Sequence, residues 1–128
     1  MMRITIIITI FIASVAMIEL SSCSAQPQAS VEEFEQEMKA SNIVLLDVRT
    51  PQEFRSGYIP NAININIYDN AFQAKALALD KSKTILIYCR SGSRSAHAAN
   101  VLRKNGYKVM EMRGGIGAWR AAGKKVIN

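Results

Sequence analysis

The stretch TILIYCRSGSRSAHAAN, Thr84 to Asn100, changes its pattern twice. Thr84, Ile85, Leu86, Ile87 and Tyr88 form an apolar, β-branched run that predicts a buried strand. Cys89 ends it. Arg90, Ser91, Gly92, Ser93 and Arg94 follow, small or basic and without periodicity. From Ser95 the spacing turns helical: Ala96, Ala99, Val101 and Leu102 can share a face, and Gly106 supplies a stop. A cysteine at the C-terminal end of a strand, a short loop and then a helix is the arrangement in which open α/β folds place their ligand sites.

That position dictates chemistry. The first turn of a helix leaves backbone N–H groups without partners and carries the positive end of the helix dipole. A loop of Gly and Ser can aim further N–H groups at the same point and make a nest for an anion. A thiol there loses its proton easily, with pKa values lowered to between ~3.5 and ~7.5 in comparable sites. Arg90 and Arg94 add positive charge. Cys89 is therefore a candidate nucleophile, and the residues Arg90, Ser91, Gly92, Ser93, Arg94 and Ser95 a candidate binding ring for an anionic substrate or a charged sulfur product.

The loop Cys89-Arg90-Ser91-Gly92-Ser93-Arg94 resembles the active loop of rhodanese-type sulfurtransferases. Two further segments resemble the same family: Leu46-Asp47-Val48-Arg49 through Gly57-Tyr58-Ile59-Pro60-Asn61-Ala62-Ile63, and Gly114-Gly115-Ile116-Gly117-Ala118-Trp119. Three motifs in order, from about Val31 to Lys125, are far more specific than one cysteine loop. The resemblance implies a single rhodanese-like domain. It also implies that Asp47 and Arg49 are mainly supporting residues that brace the loops near the site. Tyr58 stands where many family members carry His.

The chain of 128 residues suffices for one domain of ordinary size, and 49% apolar residues suffice for a core. The net charge of +6 is uneven: from Lys81 to Asn128 eleven Lys or Arg face one acid, Glu111. The part with the candidate nucleophile is thus the basic part, suited to steering small anions. Lys124 and Lys125 read as solvated surface. With no aromatic-interleaved basic stripe, nucleic acid is not an expected partner. No metal-ligand cluster or nucleotide motif appears, so no cofactor is implied.

Residues 1–22 read as a signal peptide. Arg3 is a short basic start, and Ile4 to Ile18 is uncharged and apolar but short of the ~20 residues that span a bilayer. Leu20-Ser21-Ser22-Cys23 resembles the lipobox of bacterial lipoproteins, in which cleavage precedes a cysteine that takes lipid chains. An ordinary secretory signal and an uncleaved anchor are the alternatives. On the lipoprotein reading Cys23 is lipidated, residues 23–30 are a tether, and residues 31–128 are the folded domain. The expected location is the cell envelope, on the periplasmic side. Ser24 replaces the aspartate that retains some lipoproteins at the inner membrane, which favours the outer one. Cys89 is then the only free thiol of the mature chain, with no partner for an internal disulfide.

Within the domain, Ser30-Val31-Glu32-Glu33 and Thr50-Pro51-Gln52-Glu53 are capping boxes that start helices. Strands are expected at Ile43–Leu46, ending at Asp47, at Ala62–Ile67, at Thr84–Tyr88 and at Lys108–Met112. Helices are expected over Ala71–Leu79, capped by Asp69, over Ser95–Asn105 and over Ile116–Ala122. Alternating strands and helices predict an α/β fold with a mainly parallel, four- to five-stranded sheet covered on both faces. The family's short strand before the first helix is not evident in Ala25–Ser30. His97 could activate a thiol, but its place in the helix favours a surface or packing role. Trp119 reads as core beside the active loop.

The expected chemistry is double displacement: Cys89 takes a sulfane sulfur from a donor such as thiosulfate, holds it as a persulfide, and passes it to cyanide or a thiol. A rival class, the phosphatases with C-x-x-x-x-x-R, would need arginine where this chain has Ser95. A second reading is a membrane-tethered persulfide carrier or docking module with little turnover of its own.

Overall fold

Strand side chains alternate between faces, and this alternation sorts the core into two layers. The computed structural model describes residues 28–128; the expected signal peptide and Cys23 lie outside them. Four strands, β1 (Ile43–Asp47), β2 (Ile63–Asn64), β3 (Thr84–Tyr88) and β4 (Val109–Glu111), form one sheet in the order β2-β1-β3-β4, parallel at every pairing. Five helices accompany them: α1 (Val31–Glu37), α2 (Pro51–Arg55), α3 (Phe72–Ala76), α4 (Ser93–Lys104) and α5 (Gly115–Ala121).

Ile85, Ile87 and Cys89 point to one face, where they pack with Phe72 and Ala76 of α3 and Ala98, Ala99 and Leu102 of α4. Leu86 and Tyr88 point to the other, against Val31 and Phe34 of α1 and Ile116 and Trp119 of α5. Both faces are thus covered by helices, as parallel sheets require. The same alternation carries Cys89 under α4 as β3 ends.

Local signals explain several boundaries. Ser30 Oγ accepts from Glu33 N at 3.1 Å while Glu33 Oε2 accepts from Ser30 N at 2.8 Å, completing the first capping box. Thr50 and Glu53 form the second. Three expectations need correction. The strand over Ala62–Ile67 is reduced to two residues. At its last residue, Asn64 Nδ2 turns back to donate to Asp47 O and Arg49 O at 3.0 and 2.8 Å. Asp69 does not cap α3: its Oδ1 accepts from Ala71 N at 2.8 Å in a local turn and its Oδ2 binds Lys75 Nζ, so the helix starts at Phe72. Finally, α4 starts at Ser93, two residues early, because Gly92 supplies the left-handed N-cap.

The end of the expected tether is part of the fold. Ala29 is buried and bridges Met112 in parallel, with Ala29 N donating to Glu111 O and Arg113 N to Ala29 O, both at 2.8 Å. A one-residue bridge therefore covers the outer edge of β4 where a first strand was not evident. The other terminus is tied by an antiparallel bridge between Tyr58 and Ile127.

Candidate active site

The loop from Cys89 to Ser95 curls over the end of β3 and closes on α4. Cys89 is only 1% exposed, so its sulfur lies on the floor of the loop, with hydrocarbon beneath it. Above it the polar atoms converge. Gly92 N donates to Sγ at 3.1 Å, and Ser95 Oγ lies 3.5 Å from Sγ. Ser95 Oγ in turn donates to Gly92 O at 3.1 Å. Gly92 reaches this geometry with φ +116°, a region that favours glycine. Burial pushes the Cys89 thiol up. The Ser95 hydroxyl and the N–H groups of Ser95, Gly92 and Ser91 outweigh that effect, and the pKa falls below the ordinary thiol value.

Arg94 departs from the expected role of drawing in substrate. Its Nη1 and Nη2 donate to Glu53 Oε1 and Oε2 at 2.7 and 2.9 Å, a bidentate pair between α4 and α2. The guanidinium of Arg94 and the Thr50 bonds hold Glu53 down to about 2. Glu53 had shown itself only as a capping residue; it does both jobs. Arg90, by contrast, is exposed and makes no ion pair among the described residues. Ser91 and Ser93 are also exposed, while Gly92 and Ser95 are buried.

Asp47 and Arg49 lie at the end of β1 and bond each other. Both are buried, and Asp47 accepts from the backbone N of Arg49 at 2.9 Å and from its Nη2 at 2.7 Å. Arg49 Nη2 reaches on to Gly57 O at 2.7 Å, clamping the segment after α2. Tyr88 Oη, beside them, accepts from Ile59 N at 3.1 Å. Burial and the nearby Asp47 carboxylate raise the Tyr88 hydroxyl far above its ordinary value, so it stays neutral. His97 is exposed on α4, and Trp119 is buried with its indole N–H on Lys125 O at 2.9 Å. Tyr58 stacks on Phe54 with centroids 4.2 Å apart.

The third motif braces the loop from behind. Ile116 N donates to Cys89 O at 2.9 Å and Gly117 N to Arg90 O at 3.1 Å. Gly115 packs so tightly there that a Cβ would sit 2.5 Å from Cys89 O. Gln28, in the segment before α1, brings its Nε2 near Gly92. Sequence patterns gave no signal for Gln28, because its contact is purely tertiary.

A parallel sheet thus carries at its carboxyl edge a buried thiol on which loop amides converge. The chain belongs to the rhodanese-like domain family, whose model matches residues 30–122. It is 36% identical over 87 residues to a sulfurtransferase of Allochromatium vinosum, covering 67% of this chain and 79% of that one. It is 31% identical to the thiosulfate sulfurtransferase PspE of Escherichia coli over 56% of this chain and 68% of that protein. A rhodanese-related protein of Thermoplasma volcanium superposes with a TM-score of 0.72 at 30% identity, covering 80% of this chain and 98% of the other.

Proposed function

We propose that this protein moves a sulfane sulfur from a donor such as thiosulfate to a thiophilic acceptor through a persulfide on Cys89. The convergence of loop N–H groups on Sγ carries this reading. In the first step the Cys89 thiolate attacks the outer sulfur of thiosulfate. The S–S bond of the donor breaks, its electron pair leaves with sulfite, and Cys89 Sγ–S⁻ remains. In the second step cyanide or a thiolate attacks the outer sulfur and the bonding pair returns to Sγ, regenerating the thiolate. Loop amides stabilise the terminal sulfur anion as an oxyanion hole stabilises oxygen. Ser95 stands where a phosphatase loop needs its arginine, which supports this reading over phosphoryl transfer.

The test is a steady-state assay of thiocyanate formation with thiosulfate and cyanide varied together. Double displacement gives parallel double-reciprocal lines, and Cys89→Ser gives no turnover. Persulfide accepted from a protein donor without turnover of thiosulfate would favour the carrier reading instead.

We also propose lipid attachment at Cys23 in the cell envelope, on the lipobox-like sequence alone. Cys23 lies five residues before Gln28, which lies near Gly92 of the active loop. At about 3.3–3.6 Å per residue, lipidation would hold the loop close to the bilayer. Labelled palmitate should enter the wild-type protein in bacterial cells; labelling that persists in Cys23→Ser would refute the assignment.

A further inference from the structure

Beside the cysteine loop lies a cleft of about 590 Å³, walled by Arg49, Glu53, Ser56, Arg90, Gly117 and Arg120. Its volume is that of a site for a small organic molecule and exceeds what a compact inorganic anion needs. The loop residues Ser91 to Ser95 do not line it, so it is lateral to the ring that faces Sγ. Two of its charges are already committed: Arg49 to Asp47, and Glu53 to Arg94. Among the described residues the other two guanidiniums, Arg90 and Arg120, have no carboxylate partner, whereas Arg49, Arg94 and Arg103 do. Both are exposed, and Arg120 Nη2 is held against Gly57, where a Cβ would come within 2.4 Å of it.

We propose that this cleft binds the carboxylate of a low-molecular-weight thiol, the acceptor of the second step, with Arg90 and Arg120 as its anchors. The inference rests on the sulfurtransferase reading and deepens it. Arg90 belongs at once to the cleft and to the residue after Cys89, and its carbonyl is pinned by Gly117 N at 3.1 Å. On this proposal the acceptor's carboxylate sits at the Arg90 side chain, next in sequence to Cys89, with its thiol directed toward the outer sulfur. Planar guanidinium forks match a carboxylate in two-point contact. The transfer balances: the thiolate attacks the outer sulfur, the Sγ–S bond breaks with its electrons on Sγ, and the acceptor leaves as its persulfide anion.

The test compares two acceptors, 3-mercaptopropionate and its carboxyl-free counterpart 1-propanethiol, on full-length wild type, Arg120→Ala and Arg120→Lys after loading with thiosulfate. The ratio of their kcat/KM values should fall roughly tenfold in Arg120→Ala, the scale of one charge-assisted hydrogen bond, mainly through KM, with partial rescue in Arg120→Lys. An unchanged ratio, or equal losses with both thiols, would overturn the anchor. An equal rise in KM for thiosulfate would show a donor site instead and overturn it too. Binding of S-methylated 3-mercaptopropionate, read by NMR shifts of Gly117 and Arg120 amides, requires no sulfur transfer. Shifts without any Cys89 persulfide would fail the sulfurtransferase reading but not the cleft, and no shifts would fail the cleft alone.

Discussion

Cys89 joins two environments that push its proton in opposite directions. Hydrocarbon beneath the sulfur disfavours the thiolate, while Gly92 N at 3.1 Å and the neighbouring amides and hydroxyl favour it more. Because the folded pKa is lowered, alkylation by iodoacetamide should rise with pH through a midpoint below that of a free cysteine. Ser95→Ala removes one stabilising group, so the midpoint should move up and the rate at neutral pH should fall several-fold, the scale of one hydrogen bond. An unmoved midpoint would mean that Ser95 contributes nothing to the anion. The candidate nucleophile was legible because strand, loop and helix follow one another directly in Thr84–Asn100. The depth of the sulfur was not, since it depends on what α4 packs against.

At the scale of elements, the active loop is held from both ends. α5 supports it from behind through Ile116 N and Gly117 N, and α2 holds Arg94 through Glu53. Gly115→Ala should disrupt the first support, because the added Cβ meets backbone atoms of Cys89 and Arg90 at 2.5–2.6 Å. Its φ of +58° adds a cost of about 1–3 kcal/mol for a non-glycine residue. The expected outcome is a lower urea midpoint together with a larger loss of thiocyanate formation than the stability loss explains; wild-type activity in this variant would contradict the bracing role. Helix starts were legible wherever a side-chain box writes them, at Ser30 and Thr50. They were misplaced at α3 and α4, where Asp69 bonds a local turn and Gly92 starts the helix through backbone conformation alone. The second strand was overestimated because the alternation of Ile63, Ile65 and Ile67 persists after ladder pairing ends. The chain there bonds Asp47 and Val48 carbonyls instead.

At the scale of the whole molecule, sequence-distant segments meet at the sheet's carboxyl edge. Alternating strands and helices foretold a parallel sheet covered on both faces, but no pattern foretold the pairing of Glu53 with Arg94, 41 residues apart. That pair ties the first half of the domain to the start of α4, just after the Cys89 loop. Glu53 is held down to about 2 from an ordinary 4.5, so the pair stabilises the fold fully above about pH 4.5 and loses that contribution as pH falls toward 2. Unfolding of wild type and Glu53→Gln should therefore differ at neutral pH, with the variant less stable, and converge in acid. A constant gap down to pH 2 would contradict the pairing. The central claim concerns the sulfur itself, and intact-protein mass spectrometry tests it most directly. After incubation with thiosulfate the protein should gain the mass of one sulfur atom at Cys89, lose it on addition of cyanide, and gain none in Cys89→Ser. A wild-type mass that stays unchanged, or an equal gain in Cys89→Ser, would contradict the account.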